Sequence, residues 1–226
     1  MSTELTATRM NASVRRTDVL VVGAGPAGCA AALTLARSGV EVLVIDKATF
    51  PRDKICGDGL TTSALRELDA LGLDPSTVTS WITVEDVIVR SPSGREVTFP
   101  LPRDCGSYAA VSRRRDLDAA LLELTRSEGI DVRENIALTG LEQGDSHVTA
   151  TTDGGHTIEA AYLIAADGMW SATRKALGIT QPGYRGEWHA IRQYFRNVSA
   201  RASSELVVWF EPDLLPGYAW SFPLAD

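Results

Sequence analysis

The first clear pattern in the chain is a block of four apolar residues, Val19-Leu20-Val21-Val22, three of them β-branched. A short run without polar alternation suits a strand buried on both faces. A glycine-rich stretch follows, and residues 26–38 then read as a helix, with Pro26 tolerated in its first turn and Gly39 as its stop. Residues 42–45 repeat the buried-strand pattern and end at Asp46. Strand, helix and strand in this order predict a βαβ unit.

Further along, Ala64, Leu65, Leu68 and Leu71 keep a helical period over 61–71, and Leu117, Leu121 and Leu124 keep one over 117–127. Residues 84–89 and 96–99 flank Ser91-Pro92-Ser93-Gly94, which predicts a hairpin. Short strands are expected at 108–111, at Val132, and at 136–141, 148–152, 157–158 and 161–165, with a helix at 171–177. Alternation at 190–195 and 206–210 predicts antiparallel strands of a second, sheet-based region. The expected class is α/β: a Rossmann-like dinucleotide-binding fold with a parallel sheet, plus the start of an antiparallel β-sheet region.

Composition changes this picture little. The 226 residues are 44% hydrophobic and 23% charged, an ordinary globular profile. The net charge is −7 and the longest basic run is Arg113-Arg114-Arg115, which argues against a nucleic-acid partner. Cys29, Cys56 and Cys105 are too few for a disulfide framework and lack metal-pair spacing, so no metal site is expected and a cytoplasmic setting fits. Val19 to Ala36 carry no charge and follow Arg15-Arg16, which imitates an export signal or a membrane span. Gly23, Gly25, Pro26 and Gly28 interrupt any continuous apolar helix there. Residues 1–16 are expected to form a disordered tail.

The candidate chemistry begins at Gly23-Ala24-Gly25-Pro26-Ala27-Gly28, a GxGxxG loop between a buried strand and a helix. Gly23 allows the tight turn, Gly25 lets a pyrophosphate approach the backbone, and Gly28 lets the helix pack on the strand. The helix N-terminus offers free N–H groups to phosphates. Asp46, 18 positions beyond Gly28, can accept hydrogen bonds from ribose hydroxyls and would repel a 2′-phosphate.

Other segments carry a family resemblance. Ala165-Ala166-Asp167-Gly168, followed by Ser171 and Arg174, resembles the Asp-Gly motif of the flavoprotein monooxygenase superfamily. Arg114-Arg115-Asp116-Leu117-Asp118 resembles that superfamily's Arg-x-x-apolar-Asp helix start. The stretch Phe50-Pro51-Arg52-Asp53-Lys54-Ile55-Cys56-Gly57-Asp58-Gly59 resembles the Cys-Gly-x-Gly loop of the geranylgeranyl reductase family. Pro216-Gly217-Tyr218-Ala219-Trp220-Ser221-Phe222-Pro223 resembles its YxWxFP signature. Flavin-dependent halogenases carry WxWxIP at that place, so Tyr218 and Phe222 follow the reductase pattern. The resemblance covers residues 17–226.

The resemblance implies FAD as the cofactor. It would contact Gly23, Gly25, Pro26, Ala27, Gly28, Asp46 and Lys47 at its adenosine and pyrophosphate end, and Cys56, Gly57, Gly59, Arg114, Asp167 and Gly168 elsewhere. The implied reaction saturates carbon–carbon double bonds of a polyprenyl chain, in a geranylgeranyl lipid or an isoprenoid quinone. The flavin carries the hydride chemistry, and the protein supplies orientation and a proton. Tyr218 and Trp220 would wall an apolar substrate tunnel. Cys56 reads either as the catalytic proton donor or flavin-tuning group, or as a small buried hydrophobe. An FAD-dependent monooxygenase or halogenase-like enzyme remains an alternative, as does an FAD-binding fragment without turnover. NAD(P)H and an electron-donor protein are both candidates for the electron source. A lipid substrate suggests peripheral contact at the inner face of a membrane.

This resemblance predicts three regions: the tail over 1–16, an FAD-binding domain over 17–180 with a hairpin insertion at about 81–111, and a partial substrate-binding sheet over 181–226. A third flavin motif, Gly-Asp before an apolar helix, is expected after the YxWxFP strand. Gly57-Asp58 and Gly144-Asp145 are the Gly-Asp pairs in the chain, and neither precedes such a helix. The sequence is therefore expected to be an N-terminal fragment or a truncated product.

Overall fold

The computed structural model describes residues 14–104 and 106–224, so residues 1–13, Cys105 and residues 225–226 lie outside the described residues. In chain order the elements begin β1 (Val14–Val22), α1 (Pro26–Arg37), β2 (Val42–Ile45), β3 (Gly59–Thr61), α2 (Thr62–Ala70), β4 (Ile82–Val84), β5 (Asp86–Arg90), β6 (Glu96–Pro100) and β7 (Ala109–Val111). They continue α3 (Arg114–Ser127), β8 (Asp131–Arg133), β9 (Leu138–Gln143), β10 (Val148–Thr152), β11 (Thr157–Ala165), α4 (Ala172–Ala176), α5 (Ala200–Ser204), β12 (Leu206–Trp209) and β13 (Ala219–Ser221). The chain divides into two compact units, one built from residues through Thr49 with Thr125–Gly183, the other from Phe50–Leu124 with residues from Tyr184 onward.

The first unit is a six-stranded sheet in the order β8-β2-β1-β11-β10-β9. Its β8, β2, β1 and β11 run parallel, and β10 and β9 extend it antiparallel. The apolar runs of β1 and β2 sit at its centre, where Leu20, Leu43 and Ile45 pack with Leu138, Ile158 and Ala160. Helix α1 buries Gly28, Cys29, Ala32 and Leu33. The expectation of a disordered tail to residue 16 is corrected: Val14, Arg15 and Arg16 belong to β1 and pair with Thr157, Ile158 and Glu159. Arg16 Nε also donates to Glu159 Oε2 at 2.9 Å. The two strands expected at 157–158 and 161–165 are one continuous strand, β11, because the whole length of β1 serves as its template.

The second unit holds two sheets. The smaller has the order β3-β7-β4. The larger has the order β13-β12-β5-β6 and joins segments that the sequence reading kept apart. The hairpin β5–β6 turns at Gly94, whose N–H donates to Ser91 O at 2.9 Å and whose φ of 83° suits glycine. Strand β12 pairs parallel with β5 and antiparallel with β13. The hairpin and the C-terminal strands thus form one sheet, not an insertion and a separate region. Val84, Val111 and Leu206 form the core here, with Val87, Val208 and Phe222 packed against them. The strand expected at 190–195 is absent: those residues carry no regular secondary structure. No helix of the described residues is long and apolar enough to cross a membrane.

Candidate functional site

In the first unit the glycine loop is built by close backbone packing. Gly23 donates its N–H to Ile45 O at 2.7 Å and has a φ of 106°. A Cβ at Gly23 would stand 2.4 Å from Ala166 O, and one at Gly28 would stand 1.8 Å from Gly23 O. Both glycines therefore answer to steric demands of the fold itself. Gly25, Pro26 and Ala27 form the less buried tip of the loop. Gly25 is the N-cap of α1, without a side-chain capping bond and without an acid in the first turn. The helix thus presents N–H groups that an anion would satisfy, and this is the feature that fits a dinucleotide pyrophosphate.

Asp46 is buried at the end of β2, and Lys47 beside it is exposed. One Asp46 oxygen accepts the Ala24 N–H at 2.7 Å and the other accepts the Ala48 N–H at 2.8 Å. Each oxygen keeps a lone pair for a ribose hydroxyl, and the carboxylate also ties the glycine loop to β2. Asp167 caps a helix start: its Oδ2 accepts the Thr173 N–H at 2.9 Å and the Thr173 hydroxyl at 3.0 Å. Burial opposes ionisation of Asp167, but hydrogen bonds from Ser171 and Thr173 outweigh it and hold its pKa below the ordinary carboxylate value. Gly168 follows with a φ of 75°. A cavity of about 500 Å³ in this unit opens beside the β9–β10 turn, lined by Leu141, His147, Tyr162 and Leu177 among others. None of the expected site residues lines it.

In the second unit two of the resemblance-bearing segments meet. The indole of Trp220 packs on Gly57, 3.6 Å from where a Cβ would sit, and the ring of Phe222 lies only 2.8 Å from a Cβ built on Gly59. These glycines make room for the aromatic strand. Phe210, Tyr218, Trp220 and Phe222 form a row with ring centroids 5.8, 5.8 and 6.2 Å apart. Tyr218, the second ring of the row, is 54% exposed, so the row is open to solvent there.

Cys56 is a free, half-buried thiol in this unit. The Arg114 side chain interacts with it electrostatically. The Arg114 guanidinium also grips the fully buried Asp118 in two bonds, of 2.7 and 2.9 Å. Burial works against the Arg114 charge, but the Asp118 carboxylate prevails and raises its pKa. Arg52 Nη1 is a second cation on Asp118, at 2.9 Å, though without the alignment of a hydrogen bond.

Sequence reasoning missed the residues that hold this loop. Asp58 is 5% exposed and has a φ of 62°, a conformation that aspartate tolerates better than most residues. Its Oδ1 accepts the Arg114 N–H at 3.2 Å, and its Oδ2 accepts the Tyr194 hydroxyl at 2.7 Å. Arg192 donates to Asp53 Oδ2 at 2.6 Å and to Lys54 O at 3.1 Å, and it lies 4.4 Å from the Tyr194 ring centroid. The Arg192 hydrogen bond keeps the Asp53 carboxyl below its ordinary pKa. Burial, followed by the bond to Asp58, pushes the Tyr194 phenol far above its usual value. The alternation at 190–195 was the signal for these two residues, and it reads equally as a strand.

Residues 16–214 match the family described as FAD binding domain. The chain is 37% identical to the menaquinone reductase of Mycolicibacterium smegmatis, over 93% of this chain and 53% of that protein. It is 30% identical to digeranylgeranylglycerophospholipid reductase 1 of Methanopyrus kandleri, over 92% of this chain and 55% of that protein. Its fold matches the crystal structure of a geranylgeranyl bacteriochlorophyll reductase-like protein from Thermoplasma acidophilum. That match has a TM-score of 0.69 and 23% identity and covers 93% of this chain and 54% of the other. A hydroxylase and monooxygenases also occur among the matching proteins. The chain spans about half the length of the two reductases it matches.

Proposed function

Because the chain belongs to the FAD binding domain family of FAD-dependent oxidoreductases, we propose that it serves the reduction of carbon–carbon double bonds in a polyprenyl chain carried by a lipid or a quinone. The observation that carries this reading is the packing of the Cys56 loop against the aromatic strand, Gly57 on Trp220 and Gly59 on Phe222. These are the two segments by which the sequence resembles the geranylgeranyl reductases, and their fit depends on both at once.

The uncapped start of α1, with Gly25, Pro26 and Ala27, would hold the FAD pyrophosphate, and Asp46 would accept from the adenosine ribose. When bound, reduced FAD would supply hydride to one alkene carbon. The Cys56 Sγ–H gives the proton to the other carbon, and solvent restores it. The Arg114 guanidinium, which interacts with the Cys56 side chain, positions that thiol. Tyr218 and Trp220 orient the apolar chain and exclude water from its double bonds. NAD(P)H is the proposed electron source, and a lipid substrate would bring the protein to a membrane surface.

Anaerobic incubation of the FAD-loaded protein with NADPH or dithionite and a polyprenyl quinone, read by mass spectrometry, tests this reading. The expected product gains two hydrogens for each double bond reduced. A product that instead gains oxygen on aeration would make the protein a monooxygenase.

A further inference from the structure

We propose that Arg192 and Tyr194 are positioning residues for Cys56, clamping the loop 53–58 from both flanks. The inference builds on the proposed role of Cys56 at the flavin. The observation behind it is an inversion of the usual order of burial. Between Gly178 and Ser199 the chain has no regular secondary structure, and its large apolar side chains face solvent: Ile191 is 88% exposed and Phe195 74%. The Arg192 side chain between them is only 12% exposed. The hydrophobic effect alone would bury the isoleucine and expose the cation.

What outweighs it is the set of acceptors on the loop. Arg192 ties Asp53 Oδ2 and Lys54 O on the N-terminal side of Cys56, and its Nη1 lies 3.8 Å from Asp58 Oδ2 on the other side. Tyr194 donates to that same oxygen of Asp58. Asp58 in turn holds the loop to the start of α3, accepting the Arg114 N–H through its side chain and the Ser112 N–H through its carbonyl. The ends of the Cys56 loop are thereby tied to Arg192, Tyr194 and the start of α3, and the irregular segment serves as their strap. A planar guanidinium that bridges a carboxylate and a carbonyl is a geometry lysine cannot reproduce.

The test uses the FAD-loaded protein and its Tyr194→Phe, Arg192→Met and Arg192→Lys variants. Alkylation of Cys56 by iodoacetamide is followed by peptide mass spectrometry, with the buried Cys29 as control. Tyr194→Phe and Arg192→Met are expected to speed Cys56 alkylation at least about tenfold, the factor that losing a hydrogen bond to a charged group implies. Arg192→Lys is expected to fall between them and the parent, and Cys29 is expected to stay unlabelled throughout. With polyprenyl substrate, kcat is expected to fall and KM to hold. Unchanged Cys56 labelling in both Tyr194→Phe and Arg192→Met overturns the clamp, as does a parallel rise at Cys29, which would mean unfolding. Faster Cys56 labelling in the variants, together with a parent that reduces no double bond, leaves the clamp standing and removes the proposed function.

Discussion

The ring of Phe222 occupies the space that a side chain on Gly59 would need, with Cε2 2.8 Å from the site of that Cβ. The first residue of β3 and a residue just after β13 are thus matched by size. Gly59→Ala is expected to destabilise the second unit by about 1–3 kcal/mol, the usual cost of overpacking. Adding Phe222→Leu should recover part of this, because contacting residues couple by about 0.5–3 kcal/mol. Urea unfolding of the four members of the cycle measures the coupling, and strict additivity would show that the ring yields freely.

Gly28 is a harsher case. Its missing Cβ would lie 1.8 Å from Gly23 O, a backbone atom with no freedom to rotate away. Gly28→Ala is expected to cost more than about 3 kcal/mol, beyond the ordinary overpacking range. It should also displace the loop tip that the pyrophosphate needs. The flavin absorbance per protein after gel filtration checks this, and full flavin content in a folded Gly28→Ala protein contradicts it.

Asp118 is wholly buried between two cations, Arg114 in a bidentate bond and Arg52 at 2.9 Å. Removing its charge strands both guanidinium groups out of water. Asp118→Ala is therefore expected to lose about 3–5 kcal/mol in urea unfolding, as other broken buried pairs do. A loss below about 1 kcal/mol, the surface-pair range, would mean that water reaches the arginines.

The parts of the fold that read well from sequence are those set by local chemistry. Buried runs gave β1 and β2, Pro26 and Gly39 bounded α1, and Ser91-Pro92-Ser93-Gly94 placed the β5–β6 turn. What did not read was the choice of partner. No pattern in 86–90 says that its neighbour is 206–209, a parallel pairing across more than a hundred positions. The candidate site divides the same way. The glycines and Asp46 were legible because a fixed spacing encodes them. Asp58, Arg192 and Tyr194 were not, because a 2.7 Å bond across 136 positions leaves no periodic trace. Alternation at 190–195 predicted a strand, and long-range acceptors on another segment took its polar side chains instead.

Asp167 gives a prediction in pH. Its folded pKa is lowered, because hydrogen bonds from Ser171 and Thr173 exceed the cost of burial. A carboxylate of this kind contributes stability that is fully present above its unfolded pKa, about 3.9. The contribution is lost as pH falls through the lower folded value, so the unfolded state binds the proton first. Stability should therefore drop as the solution is acidified from about pH 5 to about pH 3. Asp53, Asp74 and Glu128 are shifted in the same direction and add to the slope, though each is largely solvent-exposed and screened. Asp167→Asn isolates the one term. It keeps an oxygen for the Thr173 N–H but cannot ionise, so the variant should be less stable than the parent near neutrality and approach it in acid. Urea unfolding of both proteins across this range supplies the comparison. Parallel curves would place the acid sensitivity in the other carboxylates.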